Sequence, residues 1–261
     1  MSAKLLTIST VVLSLSLPAS NAFATFAQQA PKLIGTAGSS TARQGCAVGV
    51  SADGYTAIVG GYGDNSTAGA AWIYTRSGNS WSQQGGKLVG SLGTAAAQGI
   101  SVGISGDGNT VIVGGYLDAS GVGAAWVFVR SNGVWVQQGA KLVGSSAIGS
   151  AHQGWSVALS ADGNTAIVGG FSDNGNVGAA WVYTRSAGVW TQQTKLVGSG
   201  AAGGSDQGQS VALASDGNTA IVGGLLDNAN VGAAWVFTRS AGVWSQQGGK
   251  LVGTGAVGAA E

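Results

Sequence analysis

His152 is the only histidine in a chain of 261 residues, and it is the first residue to test for chemistry. An imidazole can relay protons near neutral pH or ligate a metal. Relay to a nucleophile needs a hydroxyl or thiol and an orienting acid in one set, and no such set can be assembled around one histidine. The one cysteine, Cys46, has no partner for a disulfide and no neighbouring base in sequence. His/Cys spacing of the metal-binding kind is absent. No carboxylate pair is distinctive enough for glycosidic acid–base work. Glycine-rich segments are frequent, but none sits between a strand and a helix as a phosphate loop does. The expectation is therefore a chain that is not an enzyme, with no catalytic residue, no metal ligand and no cofactor.

Recognition is the chemistry that remains. Asp64, Asp118, Asp173 and Asp227 recur at near-constant spacing, and Asn65, Asn174 and Asn228 follow three of them. Such a set could present acceptors to a sugar, a cation or a basic loop. It could equally cap its own loops through side-chain-to-backbone hydrogen bonds, and the regular recurrence favours that reading. Residues that break the period are the sharper candidates. His152 and Trp155 stand where other copies carry Ala97 or Asp206 and Ile100 or Gln209. Asp206 departs in the same way. These seven residues are the candidate binding set.

The elements that must position them come from a tandem repeat. Asp-Gly occurs at Asp53, Asp107, Asp162 and Asp216, with spacings of 54, 55 and 54. Val-Gly-Gly begins at Val59, Val113, Val168 and Val222, and Gly-Ala-Ala-Trp at Gly69, Gly123, Gly178 and Gly232. A second tryptophan follows at Trp81, Trp135, Trp190 and Trp244, and Lys-Leu closes each unit from Lys87, Lys141, Lys195 and Lys250. In the third copy, 154–160 alternates as a strand, and Asp162-Gly163-Asn164 is a tight-turn signal. Thr165 to Gly170 is apolar on both faces, as in a fully buried strand. A polar loop from Phe171 to Val177, a third strand from Ala179 to Arg185, a short turn and a fourth strand from Val189 follow. In the third strand Trp181, Tyr183 and Arg185 share one face and Ala180, Val182 and Thr184 the other, so a bulky face can stack on a small one. Arg76, Arg130, Arg185 and Arg239 are expected to pair with the turn aspartate of their own unit.

Four short antiparallel strands per unit, without helical periodicity, describe an all-β fold: a β-propeller of four four-stranded blades of about 54 residues each. The units run 44–97, 98–152, 153–206 and 207–261, preceded by a lead-in with a partial repeat at 25–43. A stacked β-solenoid is the alternative. Residues 1–24 read as a signal peptide: Lys4, an apolar run from Leu5 to Leu17, Pro18, and Ala22-Phe23-Ala24 as the cleavage site. No later apolar run approaches the ~20 residues of a spanning helix, and a net charge of +1 gives no footprint for nucleic acid.

The repeated string Gln-Gly-Trp-Ser-Val-Ala-Leu, Asp-Gly-Asn-Thr-Ala-Ile-Val-Gly-Gly, Gly-Ala-Ala-Trp-Val-Tyr-Thr-Arg-Ser and Trp-Thr-Gln-Gln resembles the FG-GAP repeat, the blade unit of integrin α-subunits and of exported bacterial proteins. The resemblance covers 28–261 and departs from the family at three places, one being that Gly-Gly followed by Tyr62, Tyr116, Phe171 or Leu225 stands where the family has Gly-Ala-Pro. Gln44, Gln98, Gln153 and Gln207 replace the Phe of Phe-Gly. In the loop that carries calcium in other members, Ala158, Ser160, Asp162 and Ala166 retain one of three carboxylates, so no calcium site is expected. The resemblance implies a secreted, periplasmic or cell-surface module that binds a protein or carbohydrate outside the cell, with self-association to complete a ring as a further expectation. The alternatives are a purely structural segment of a larger surface protein and, third, a propeller-type polysaccharide hydrolase or lyase.

Overall fold

The computed structural model describes residues 28, 31–93 and 95–255. The expected signal peptide, part of the lead-in and the end of the fourth unit lie outside the described residues. The chain forms four separate four-stranded antiparallel sheets of similar size, here called blades, each paired in sequence order. Blade 1 holds β1 (Val48–Val50), β2 (Thr56–Gly61), β3 (Ala70–Ser77) and β4 (Ser80–Gln83). Blade 2 holds β5 (Ser101–Ile104), β6 (Thr110–Gly115), β7 (Ala124–Ser131) and β8 (Val134–Gln137). Blade 3 holds β9 (Ser156–Leu159), β10 (Thr165–Gly170), β11 (Ala179–Ser186) and β12 (Val189–Leu196). Blade 4 holds β13 (Ser210–Leu213), β14 (Thr219–Gly224), β15 (Ala233–Ser240) and β16 (Val243–Gln246).

Local chemistry fixes the pairing. In blade 3, Val168 lies opposite Val157 on one side and Trp181 on the other. At the β9–β10 turn, Asp162 Oδ1 accepts from the Ser160 hydroxyl at 2.5 Å and from the Asn164 amide at 2.9 Å. The carboxylate thus satisfies the turn that the Asp-Gly pair announces. The same two bonds recur at Asp53 and Asp107. The expected polar loop after β10 is tighter than a plain loop. Asp173–Asn176 forms a single turn in which Asn174 and Gly175 are left-handed, with φ of 51 and 66. Asparagine and glycine tolerate that region at low cost.

Burial lies between blades rather than within them. The front of each blade carries the bulky residues, and it rests on the small rear face of the blade before it. At the joint of blades 2 and 3, Ile112, Ala125, Val127 and Leu142 meet Val157, Ala166, Val168, Trp181 and Tyr183. The linker crosses between them. The Trp181 indole donates to Ser145 O at 2.9 Å, and Gly144 lies so close that a Cβ there would sit 2.2 Å from the ring. Burying a large side chain of this kind contributes on the order of 2–3 kcal/mol. The arginines pair differently from expectation. Arg185 Nε donates to Asn164, two residues beyond the turn aspartate, and its Nη1 reaches Gln138 of the preceding blade. The guanidinium therefore ties the β9–β10 turn of its own blade to the preceding blade. It also lies over the Trp190 ring, 5.3 Å from the centroid.

Each blade is bridged to the next at Gly69–Gln98, Gly123–Gln153 and Gly178–Gln207. Among the described residues no such bridge joins blade 4 to blade 1, and the sheets do not close into a ring.

Candidate ligand-binding rim

The second strand of each blade ends, and the third begins, at the same edge where the linker enters the first strand. That edge gathers the residues that vary between copies. The linker geometry is nearly constant. Gln98 accepts from the Gly90 amide and donates back to the Gly90 carbonyl, and Gln153 and Gln207 do the same to Gly144 and Gly198. These glutamines are fully buried, so each side chain stands in for a backbone strand partner. This is the role taken here by the residue that replaces the family's phenylalanine, and the sequence reading did not find it. A bidentate amide clamp leaves no periodic signature apart from the invariance of glutamine.

Immediately before each glutamine stands a left-handed residue: Arg43, Ala97, His152 and Asp206, with φ of 54, 57, 56 and 54. A non-glycine in this region costs roughly 1–2 kcal/mol. Four different side chains share that strained backbone. The fold sets the conformation here and leaves the side-chain identity free.

The slot becomes distinctive at the joint of blades 2 and 3. Tyr116 and Phe171, the residues after the Gly-Gly of β6 and β10, flank His152 and Trp155. Trp155 meets Tyr116 at 4.9 Å between centroids and Phe171 at 5.0 Å, both edge to face. His152 stacks on Phe171 at 5.2 Å and meets Tyr116 edge-on at 5.6 Å. All four are half-buried, so part of each ring faces solvent. His152 Nδ1 is buried without a hydrogen-bond partner. Burial holds its imidazole below the ordinary histidine value, which keeps the ring neutral at pH 7. One joint further on, the equivalent positions carry Asp206 and Gln209, whose Oδ1 and Oε1 are buried and unpartnered. Burial pushes the Asp206 carboxyl up from its ordinary value. The structure thus brings His152 and Trp155 together. It adds Tyr116 and Phe171, whose one sequence signal is the change from Tyr62 through Phe171 to Leu225 after each Gly-Gly, and Gln209, which was visible only as the counterpart of Trp155.

The periodic aspartates sit elsewhere in role. Asp64, Asp118, Asp173 and Asp227 are buried, and each is paired with the lysine that closes its own blade, Lys87, Lys141, Lys195 and Lys250, at 2.5 to 2.6 Å. Asp64, Asp173 and Asp227 also accept from a linker amide, at Ser39, Ile148 and Ala202. Burial raises the Asp64 carboxyl, but hydrogen bonds from Lys87 and Ser39 outweigh it and hold it below the ordinary value. A buried, paired carboxylate organises its loop and offers little to a ligand. Cys46 donates its thiol to Gly99 O at 3.0 Å, and burial pushes its thiol up. A raised thiol is a poor nucleophile.

Residues 190–237 match the family model of the FG-GAP repeat. That stretch is an FG-GAP repeat. It runs from β12 through the following linker to β15, so the FG-GAP unit spans a joint and includes one left-handed slot, Asp206. No curated protein matches the chain. Among solved structures, a protein described as functionally unknown from Desulfotomaculum acetoxidans DSM 771 is similar over 77% of this chain at 16% identity, with a TM-score of 0.50. That likeness is one of fold. This chain spans about half of that structure, 54% of its length. Among the described residues, no helix is long and apolar enough to cross a membrane.

Proposed function

We propose that this FG-GAP protein is an exported, non-enzymatic β-propeller-type module that binds a carbohydrate at the rim between blades 2 and 3. The observation that carries the reading is the half-exposed cluster of Tyr116, His152, Trp155 and Phe171, the one place where four rings replace the variable residues of the repeat. Aromatic faces suit the apolar faces of sugar rings, and these four half-buried rings leave part of their surface to solvent. Export is supported by Lys4, the apolar run to Leu17 and the Ala22-Phe23-Ala24 site.

A protein ligand is the second reading, favoured by the same aromatic enrichment, which is typical of interface anchors. Glycan-array binding separates the two. Retention of oligosaccharides by the wild-type chain, lost in Trp155→Ala, supports the carbohydrate reading. Capture of a protein, with an empty array, supports the second. Hydrolysis or elimination of a polysaccharide by the purified chain would contradict both.

A further inference from the structure

The slot before each glutamine lies against the single turn of the preceding blade, and the residue on that turn changes in step with the slot. The amides of Ala97, His152 and Asp206 donate to the carbonyls of Thr67, Gly121 and Asn176, at 2.7, 2.8 and 2.9 Å. Each acceptor is the last residue of the turn that follows the second strand of its blade. Thr67, Asn176 and Asn230 hold that place with φ of 70, 71 and 72, and Gly121 with φ of 90. A left-handed backbone is thus built here three times with a side chain on it. Conformation alone does not account for the glycine.

Contact accounts for it. A Cβ on Gly121 would lie 3.0 Å from His152 Nε2, 3.3 Å from His152 Cδ2 and 3.3 Å from the Ser150 Cβ. Gly121 is buried, whereas Thr67, Asn176 and Asn230 are exposed. At the next joint the sizes are exchanged. Gly204 stands where Ser150 stands, and a Cβ on it would lie 3.4 Å from the Asn176 Cβ. Close packing leaves room for a side chain on the turn or a large one on the linker, and not for both. His152 is thereby held on three sides. Phe171 stacks on it at 5.2 Å, Tyr116 meets it edge-on at 5.6 Å, and the Gly121 backbone stands at its Nε2–Cδ2 edge.

We infer that Gly121 is the positioning residue of the aromatic rim: by carrying no side chain it seats the His152 imidazole against Tyr116 and Phe171, and so decides from the preceding blade which side chain the slot presents. The consequence for recognition rests on the carbohydrate reading; the seating of the ring does not. Gly121 acts through His152 and needs no contact with a ligand of its own. Asparagine, the residue of blades 3 and 4 at this place, suits the left-handed backbone but sets its Cβ against the imidazole. Displaced from Phe171, the ring turns to solvent, and the rim loses one of its four aromatic members.

His152 is the only histidine, so its Cε1–H and Cδ2–H proton resonances report its place without ambiguity. In the wild type they are expected to be displaced by the ring currents of Tyr116 and Phe171, with a titration midpoint below the ordinary 6.5. In Gly121→Asn both are expected to move to the values of a solvated imidazole, and oligosaccharide retention on a glycan array to fall on the order of 10-fold. Gly121→Ala, which adds only the Cβ, should move the resonances the same way by less. Gly121→Asn should lower Tm in the wild-type background and leave it nearly unchanged in His152→Ala, where no ring is in the way. Resonances that stay in place in Gly121→Asn, or an equal loss of Tm in both backgrounds, would overturn the inference. Retention that survives Gly121→Asn with the ring displaced would overturn its part in recognition. A wild-type chain that retains no oligosaccharide would strike the carbohydrate reading, and the resonances would still decide the seating.

Discussion

The joint between blades 1 and 2 and the joint between blades 2 and 3 have the same backbone and different surfaces. Both are clamped by a buried glutamine, both pass a left-handed residue, and both bury one tryptophan under the linker. Yet the first presents Ala97 and Ile100 and the second His152 and Trp155 between Tyr116 and Phe171. The difference teaches a division of labour. Backbone polar satisfaction and glycine contact fix the joint. The strained slot beside them carries whatever side chain recognition requires, because that side chain takes no part in closing the joint.

The largest effect should fall on what the joints share. Gly154 has φ of 84, and an added Cβ would lie 2.1 Å from Ala124 O; at Gly99 the corresponding distance to Ala70 O is 2.3 Å. Gly154→Ala and Gly99→Ala are each expected to cost roughly 3–6 kcal/mol in urea unfolding, from overpacking and backbone strain together. Gly149→Ala, at φ 75 with nothing within 4 Å, should cost only about 1 kcal/mol of strain. Equal costs at Gly149 and Gly154 would remove contact as the reason for these glycines. Next come Gln98→Ala and Gln153→Ala. Each leaves a buried amide and carbonyl unpaired, for an expected ~2–5 kcal/mol, alike at the two joints. A large difference between them would break the claim of a common clamp.

The strand order, the turns and the alternation of bulky and small faces were legible in the sequence, because each is encoded within a few residues of itself. Val168 and Trp181 face one another for reasons visible in Thr165–Gly170 and Ala179–Ser186 alone. The Asp173–Lys195 pair was not legible as a pair, although both residues recur in every unit, since nothing local says that a loop and the end of β12 converge. The arginine partner was missed for a similar reason: Gln138 belongs to another blade. His152 and Trp155 stood out as breaks in the period. Their meeting with Tyr116 and Phe171 depends on the packing of one blade on another.

Smaller effects separate the joints. Only the second carries a histidine, held neutral by burial. Its folded state resists protonation while the unfolded chain titrates near the ordinary 6.5, so stability is full above that pH and declines as pH falls toward the lowered folded value. His152→Gln should flatten this slope below pH 6.5, as read by thermal unfolding. An unchanged slope would place the imidazole in solvent. The smallest expected effect is at the third joint. Burial raises the Asp206 carboxyl, which penalises the charged form above the ordinary 3.8, so Asp206→Asn should raise Tm at pH 7 and have no effect below pH 3. The gain is about 2–4 °C for each kcal/mol recovered; a fall in Tm would mean that the carboxylate has a partner.

The most direct test of the division between scaffold and slot compares Trp155→Ala with the wild type on a glycan array and in thermal unfolding together. The account predicts that carbohydrate retention is lost while the four-blade fold persists with a modest change in Tm. Retention that survives Trp155→Ala would contradict it.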